Sequence, residues 1–347
     1  MDLKDCLLGD VVTFQRGHDL PKTQMVDGPY PVLGSNGIIG YHNRYTTTGP
    51  VIVVGRSGNV GHPFMVKSNA WAHNTSLYIK DFKGNDPIFI YYFLQTLNLA
   101  KFAGGSAVPT LNRNHINTIE VKIPKDVSVQ QKIGSILASF DEKISTNNKI
   151  NDNLQKQAEA IYSRLFIDAR NCNQVPLKDI ANITMGQSPA GHSCSEKNEG
   201  TVFYQGRAEF GFRFPTRRLF TTEPKRMAKV GDILLSVRAP VGDTNVAYED
   251  CCLSAIESKT GEPSFLLYTL RYLHHQFEVF NAEGTVFGSI NKEQLNNFQI
   301  NLPPKDKIKE FESIVRPMDD LIRMNFKENN LLNELKEKLL LNFFSNK

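Results

Sequence analysis

Several features that would commit the chain to a particular class are scarce or missing. Among 347 residues there are only five cysteines, Cys6, Cys172, Cys194, Cys251 and Cys252. They include no C-x-x-C pair and no Cys/His spacing suited to zinc, and their number is odd, which argues against a disulfide framework and a structural metal. They read as reduced thiols. No stretch reaches the ~18 uninterrupted apolar residues of a membrane span. The opening Met1-Asp2-Leu3-Lys4-Asp5-Cys6 lacks the basic segment and apolar run of a secretory leader, so a cytoplasmic protein is expected.

Catalytic signatures are missing as well. There is no [DNS]-P-P-[YFW] tetrapeptide of adenine methylation, no G-x-x-x-x-G-K-[ST] phosphate loop and no H-E-x-x-H. His42, His62, His73, His115, His192, His274 and His275 stand without a ligand or nucleophile pattern, so neither a catalytic residue nor a metal site is expected. Neither sign of charge dominates: 40 Lys plus Arg against 36 Asp plus Glu leave +4, so any basic surface must be local.

What the chain has is a repeat. Gly105-Ser106-Ala107-Val108-Pro109-Thr110-Leu111-Asn112-Arg113-Asn114-His115-Ile116 aligns with Gly284-Thr285-Val286-Phe287-Gly288-Ser289-Ile290-Asn291-Lys292-Glu293-Gln294-Leu295. Ile119 to Pro124 then falls on Phe298 to Pro303, and Phe140-Asp141-Glu142-Lys143-Ile144 on Met318-Asp319-Asp320-Leu321-Ile322. The unit starts match too, Leu3-Lys4-Asp5 over Leu177-Lys178-Asp179. Three separated blocks at nearly one spacing mark a duplication. Between them, roughly residues 10 to 100 and 185 to 280, the copies have little in common. The pattern suits one scaffold written twice that carries two different surfaces.

Each copy reads as a mixed α/β domain followed by a long helix, with boundaries at 1–125, 126–170, 171–304 and 305–347. Pro50 to Gly55 and Gly231 to Val237 are short apolar runs bounded by Gly or Pro, hence strands. Pro87 to Gln95 and Pro263 to Leu270 open on proline and continue apolar, as buried helices with an N1 proline do. In the first long helix Leu137, Phe140, Ile144, Asn147, Asn151, Leu154, Ala158, Ile161 and Leu165 recur in three- and four-residue steps; in the second Val315, Met318, Ile322, Asn325, Asn329, Leu332, Lys336, Leu339 and Phe343 do so. These are coiled-coil seams, each about 38 residues and so roughly 57 Å long. Two asparagines at matching steps would fix register by pairing with polar partners. In the alternative, both helices are merely amphipathic, each packing on its own domain with Asn147 and Asn325 wet.

These motifs, with Leu177-Lys178-Asp179-Ile180, Met185-Gly186-Gln187-Ser188-Pro189, and Gly231 through Arg238-Ala239-Pro240-Val241-Gly242-Asp243, resemble the frame of the specificity subunits of type I restriction-modification enzymes, over nearly the whole chain. The resemblance implies a mixed α+β fold with two target-recognition domains in tandem, alternating with two long helices that form an antiparallel coiled coil. It implies a non-catalytic subunit that binds double-stranded DNA at a bipartite site and directs adenine methylation or cleavage by partners. Those partners would be two methyltransferase subunits, which bind S-adenosylmethionine, and optional restriction subunits using ATP and Mg2+; this chain itself would bind no cofactor. The rival without DNA is a coiled-coil scaffold joining two modules for other ligands.

The strongest DNA-facing signal is the window holding Arg207, Arg213, Arg217, Arg218, Lys225 and Arg226 against only Glu209 and Glu223, interleaved with Phe203, Tyr204, Phe210, Phe212, Phe214 and Phe220. Such a surface turns aromatics inward while arginines reach phosphates or guanine edges, or it is simply a solvated basic face. In the first domain the candidates are Arg16, His18, Lys22, Arg44, Arg56, His62 and Lys67, with Arg56 set among Gly55, Ser57, Gly58 and Asn59. Gln187 and Arg238 complete the set in the second domain. Arg113 and Lys292 occupy equivalent repeat positions and are expected to position phosphates, with Asn112 and Asn291 as helix caps.

Overall fold

The computed structural model describes residues 2–104, 109–167, 173–253, 255–281 and 288–344. The repeat segments 105–108 and 284–287, together with Cys172 and Ser254, lie outside the described residues. The chain forms two compact units, one of Met1–Ser145 with Asn329–Lys347 and one of Thr146–Glu328.

In the first unit, Leu3–Leu7 pairs antiparallel with Glu120–Pro124, bringing the start of the repeat to the strand that precedes the long helix. A four-stranded antiparallel sheet runs in the order Thr13–Arg16, Ser76–Asp81, Val51–Gly55, Pro63–Val66. Every residue of Val51–Gly55 is buried, which is why that strand reads as an unbroken apolar run rather than an alternating one. A three-stranded sheet holds the hairpin Tyr30–Gly34 and Gly37–His42, with Trp71–Ala72 parallel to its first strand. Helix Pro87–Thr96 begins with Asp86 Oδ1 accepting the Phe89 N–H at 2.8 Å and Pro87 at its first turn.

The second unit repeats this frame. Asn173–Pro176 pairs with Gln299–Leu302 as Leu3–Leu7 pairs with Glu120–Pro124, and because Leu8 N and Leu177 N donate to the counterparts Ile119 O and Phe298 O, both at 2.8 Å, the expected match of Leu3-Lys4-Asp5 to Leu177-Lys178-Asp179 is corrected to Leu8-Gly9-Asp10. The four-stranded sheet has the same order in the repeat, Ala181–Thr184, Ala255–Ser258, Ile233–Leu235, Thr244–Val246. Helix Pro263–Tyr272 answers helix Pro87–Thr96. What changes is the remaining sheet: here it has five strands, built around Thr201–Phe203 and its parallel neighbour Cys251–Cys252. The inserts therefore differ in their third sheet, while frame and strand order are kept.

The central helix, Val127–Tyr162, has 36 residues and continues as a π turn over Ser163–Ile167; the C-terminal helix, Lys305–Phe344, has 40. Every expected seam residue is buried or half-buried. Asn147 Nδ2 donates to Glu328 Oε2 at 2.7 Å and Asn325 Nδ2 to Asn151 Oδ1 at 2.8 Å, so the two helices run antiparallel with polar pairs in the seam. The heptad pattern does not reveal that its ends serve other packing. In the first unit Ile133, Leu137, Leu339, Leu340, Phe343 and Phe344 join the core of the recognition domain. In the second, Ala158, Tyr162, Leu165 and Phe166 join Phe311 and Val315 in the other core. Each unit thus combines the start of one long helix with the end of the other.

Candidate nucleic-acid interface

In both units one loop, following the buried strand of the four-stranded sheet, builds a cleft. In the first, Gly61 N donates to Gly55 O and Leu111 N to Arg56 O, both at 2.8 Å. In the second, Gly242 N donates to Ser236 O and Ile290 N to Val237 O, both at 3.0 Å. Gly61 and Gly242 close these loops at φ +82° and +103°, and a Cβ there would meet Ala100 N at 2.4 Å or Phe277 Cβ at 2.7 Å. Glycine is required on both counts. The bonds also set the register between copies: Arg56 corresponds to Val237, and Arg238 to Ser57. Each copy places one arginine in the loop, one residue apart.

The first cleft, of about 710 Å³, is lined by Gln15, Arg16, Arg56, Thr110, Asn112, Arg113 and His115, with no carboxylate among its described lining residues. Arg16 is exposed and lies 3.7 Å from Asp19, too long for a hydrogen bond. Asn112 Oδ1 accepts the Asn114 N–H at 3.0 Å, and Asn291 forms a reciprocal capping box with Gln294 at 2.9 Å, so both asparagines are helix caps. Arg113 and Lys292 are exposed beside those caps. The second cleft, about 340 Å³, gathers Gln187, Ser188, Gln205, Arg207 and Arg238. Arg207 Nε approaches Asp243 Oδ2 at 2.7 Å as an ion contact without hydrogen-bond alignment.

The basic window of the second domain looks different folded than linear. Arg217 donates bidentately to Glu249 at 2.5 and 2.7 Å, and Arg218 to the buried Glu209 at 2.5 Å. Arg213, expected on the DNA surface, is corrected to an interior residue: it is 3% exposed and paired with Asp319 at 2.7 Å. Counting charge along the window missed Asp243, Glu249 and Asp319, carboxylates brought in from distant segments. Among the described residues, Lys225, Arg226, Arg238 and Lys292 are exposed and carry no ion pair. Lys67, by contrast, pairs with Glu142 at 2.6 Å.

Residues the linear reading did not single out are Gln15, at the edge of the first cleft, the exposed Ile38, Ile39 and Tyr41 on the first hairpin, and the exposed Tyr45, which with Arg44 follows the end of that hairpin at His42. Their signal was the alternation of glycine with large apolar residues between Gly37 and Tyr41. Lys22 lies exposed on the preceding turn. A further cavity in the second unit, about 660 Å³, mixes Arg207 and Arg271 with Glu159 and Asp243, so its charges compensate. His274, His275 and Glu278 bring their ligand atoms within 4.8 Å of one another, a grouping that sequence spacing did not suggest; His274 Nε2 also faces Asp243 at 3.1 Å. Cys6, Cys194, Cys251 and Cys252 are free thiols, and no helix among the described residues is long and apolar enough to cross a membrane.

Comparison with known proteins agrees with this duplicated frame. The family model of the type I restriction modification DNA specificity domain matches residues 2–156 and again 170–337. A Methanocaldococcus jannaschii protein that carries the name of a type I restriction enzyme MjaX specificity subunit is 30% identical over 284 residues, 74% of this chain and 66% of that protein. The MjaIX specificity subunit of the same organism is 21% identical over 73% of this chain and 67% of its own. The chain thus spans about two thirds of the length of these relatives. The crystal structure of a type I restriction-modification S subunit from M. genitalium superposes with a TM-score of 0.72 at 17% identity, covering 100% of this chain and 97% of that one, and so shares the fold. With its specificity domain matched twice and its two-copy frame intact, the chain belongs to the type I restriction-modification DNA-specificity family.

Proposed function

We propose that this chain is the sequence-reading, non-catalytic subunit of a type I restriction-modification complex, each unit reading one half of a bipartite DNA site. The carrying observation is that one loop-and-cleft frame occurs twice with different inserts, and that the first cleft gathers Arg16, Arg56 and Arg113 without a lining carboxylate. Guanidinium groups without an ion pair, as at Arg56 and Arg113, attract a phosphate backbone, and bidentate arginine reads guanine edges. Parts shared by both copies, such as Arg113 and Lys292, suit phosphate positioning. Unshared parts, such as Tyr41 on the first hairpin with Arg44 just beyond it and Arg238 in the second cleft, suit base reading.

Methylation and cleavage then belong to partners: two methyltransferase subunits holding S-adenosylmethionine, and restriction subunits using ATP and Mg2+. Support for helical partners comes from the C-terminal helix, where Leu321, Met324, Leu331 and Leu335 stay exposed at heptad spacing, Met324 at 67%. An apolar stripe of that period calls for another helix. The reading is tested by assembling the chain with its cognate methyltransferase and selecting binders from a pool of random duplexes. Two specified blocks with a fixed unspecified gap are expected. A single undivided block, or recovery without sequence preference, contradicts it.

A further inference from the structure

The two copies satisfy one charge site, half-buried in the first and buried in the second, in different ways. In the first unit Tyr92, sixth residue of helix Pro87–Thr96, donates its hydroxyl to Asp141 Oδ2 at 2.7 Å, and Lys336 of the C-terminal helix donates to Asp141 Oδ1 at 2.6 Å. In the second unit Tyr268, sixth residue of helix Pro263–Tyr272, donates to Asp319 Oδ1 at 3.1 Å. Tyr268 and Asp319 are the repeat counterparts of Tyr92 and Asp141. The seam position equivalent to Lys336 is Ala158, fully buried and without charge. The missing cation comes from the recognition insert: Arg213 Nη1 donates to Asp319 Oδ1 at 2.7 Å and Nη2 to the Tyr268 hydroxyl at 2.8 Å.

We infer that Arg213 is a positioning residue for DNA reading, drawing the second insert into a Tyr–Asp charge site that in the first copy is closed by the helix itself. The inference rests on the DNA-reading role proposed above. Burying a guanidinium is costly unless it is paired, so once paired it holds its segment at one place. The segment held runs on from the second cleft: Gln205 and Arg207 line that cleft, Arg218 donates to Gln205 Oε1 at 3.2 Å, and Phe214 packs on Phe326 with ring centroids 4.8 Å apart. By the repeat, a lysine at position 158 in place of Arg213 would offer Asp319 the cation that Lys336 offers Asp141, leaving the insert held by contacts such as Phe214 on Phe326. In the first unit Lys336 supplies the cation at Asp141, and the first insert reaches the central helix beside it through the exposed pair of Lys67 with Glu142.

The test uses the complex with its methyltransferase and measures methylation of duplexes mismatched in one half of the site or the other. A mismatched base pair ordinarily costs roughly 5- to 150-fold in such recognition. For Arg213→Met this discrimination is expected to collapse towards one at a single half and to stay intact at the other. The double variant Ala158→Lys/Arg213→Ala is expected to recover the wild-type melting temperature without recovering discrimination. Retained discrimination in Arg213→Met, or its return in the double variant, would overturn the positioning role and leave Arg213 a merely structural cation. If Arg213→Met does not assemble, the double variant alone decides. A wild-type complex that ignores mismatches in both halves defeats the DNA-reading proposal instead, an outcome separate from either of these.

Discussion

Replacing Asn325 by leucine separates the seam's polar pairing from its packing. Asn325 and Asn151 are 7% and 5% exposed and share a 2.8 Å hydrogen bond. A net hydrogen bond contributes about 1 kcal/mol, and a buried amide left without its partner costs about 1–3 kcal/mol. The single variants Asn325→Leu and Asn151→Leu should therefore each destabilise the second unit by about 1–3 kcal/mol. Replacing both removes the orphaned group, so Asn151→Leu/Asn325→Leu should return near wild-type stability, a coupling of about 2 kcal/mol or more. Urea unfolding with an unchanged m value gives the four stabilities. The apolar seam of the double variant should also lose its register preference and form additional oligomers on size exclusion. Additivity of the two single effects within about 0.5 kcal/mol would refute the pairing.

Other expectations follow from particular groups. Arg56→Ala and Arg113→Ala should each lower the slope of log K against log salt for DNA binding by about 1, since each releases fewer counterions; Arg217→Ala, already tied to Glu249, should change it less. Burial holds the Glu312 carboxyl above the usual carboxylate range although it accepts the Ser264 and Phe265 N–H groups at 3.3 and 3.0 Å. Its contribution to stability is full below the ordinary carboxylate pKa and is lost as pH rises through the raised folded value. Glu312→Gln should thus match or exceed wild-type stability at pH ~8, with the gap closing below pH ~4 in pH-dependent unfolding. Burial pushes the Cys251 thiol up to about 12, and Cys252 is equally enclosed. A disulfide reagent should label Cys6 and Cys194 in the native protein and reach Cys251 and Cys252 only on unfolding; native labelling of the pair would contradict the buried strand.

The repeat made the frame legible. Backbone elements that must recur, such as the two Pro-led helices, the Pro-terminated strands and the long helices, leave periodic or punctuating residues. Asn112 and Asn291 were readable as caps because that chemistry is local, three residues or fewer. What packs on a heptad stripe is not local, so the ends of the seam, around Leu137, Ala158 and Phe343, did not show that they belong to recognition-domain cores. Charge failed for the same reason. The partners of Arg213 and Arg217 lie 106 and 32 residues away, beyond any window in which cations and carboxylates are counted. Arg56 and Arg238, two of the arginines without an ion pair among the described residues, were visible because glycine or proline punctuates their loops.

The most direct measurement co-expresses the chain with its methyltransferase in a host lacking adenine methylation and maps N6-methyladenine across the genome. One split motif is expected, two specified blocks separated by an unspecified gap of fixed length. Methylation at a single undivided motif, or none from a stably assembled complex, would contradict it.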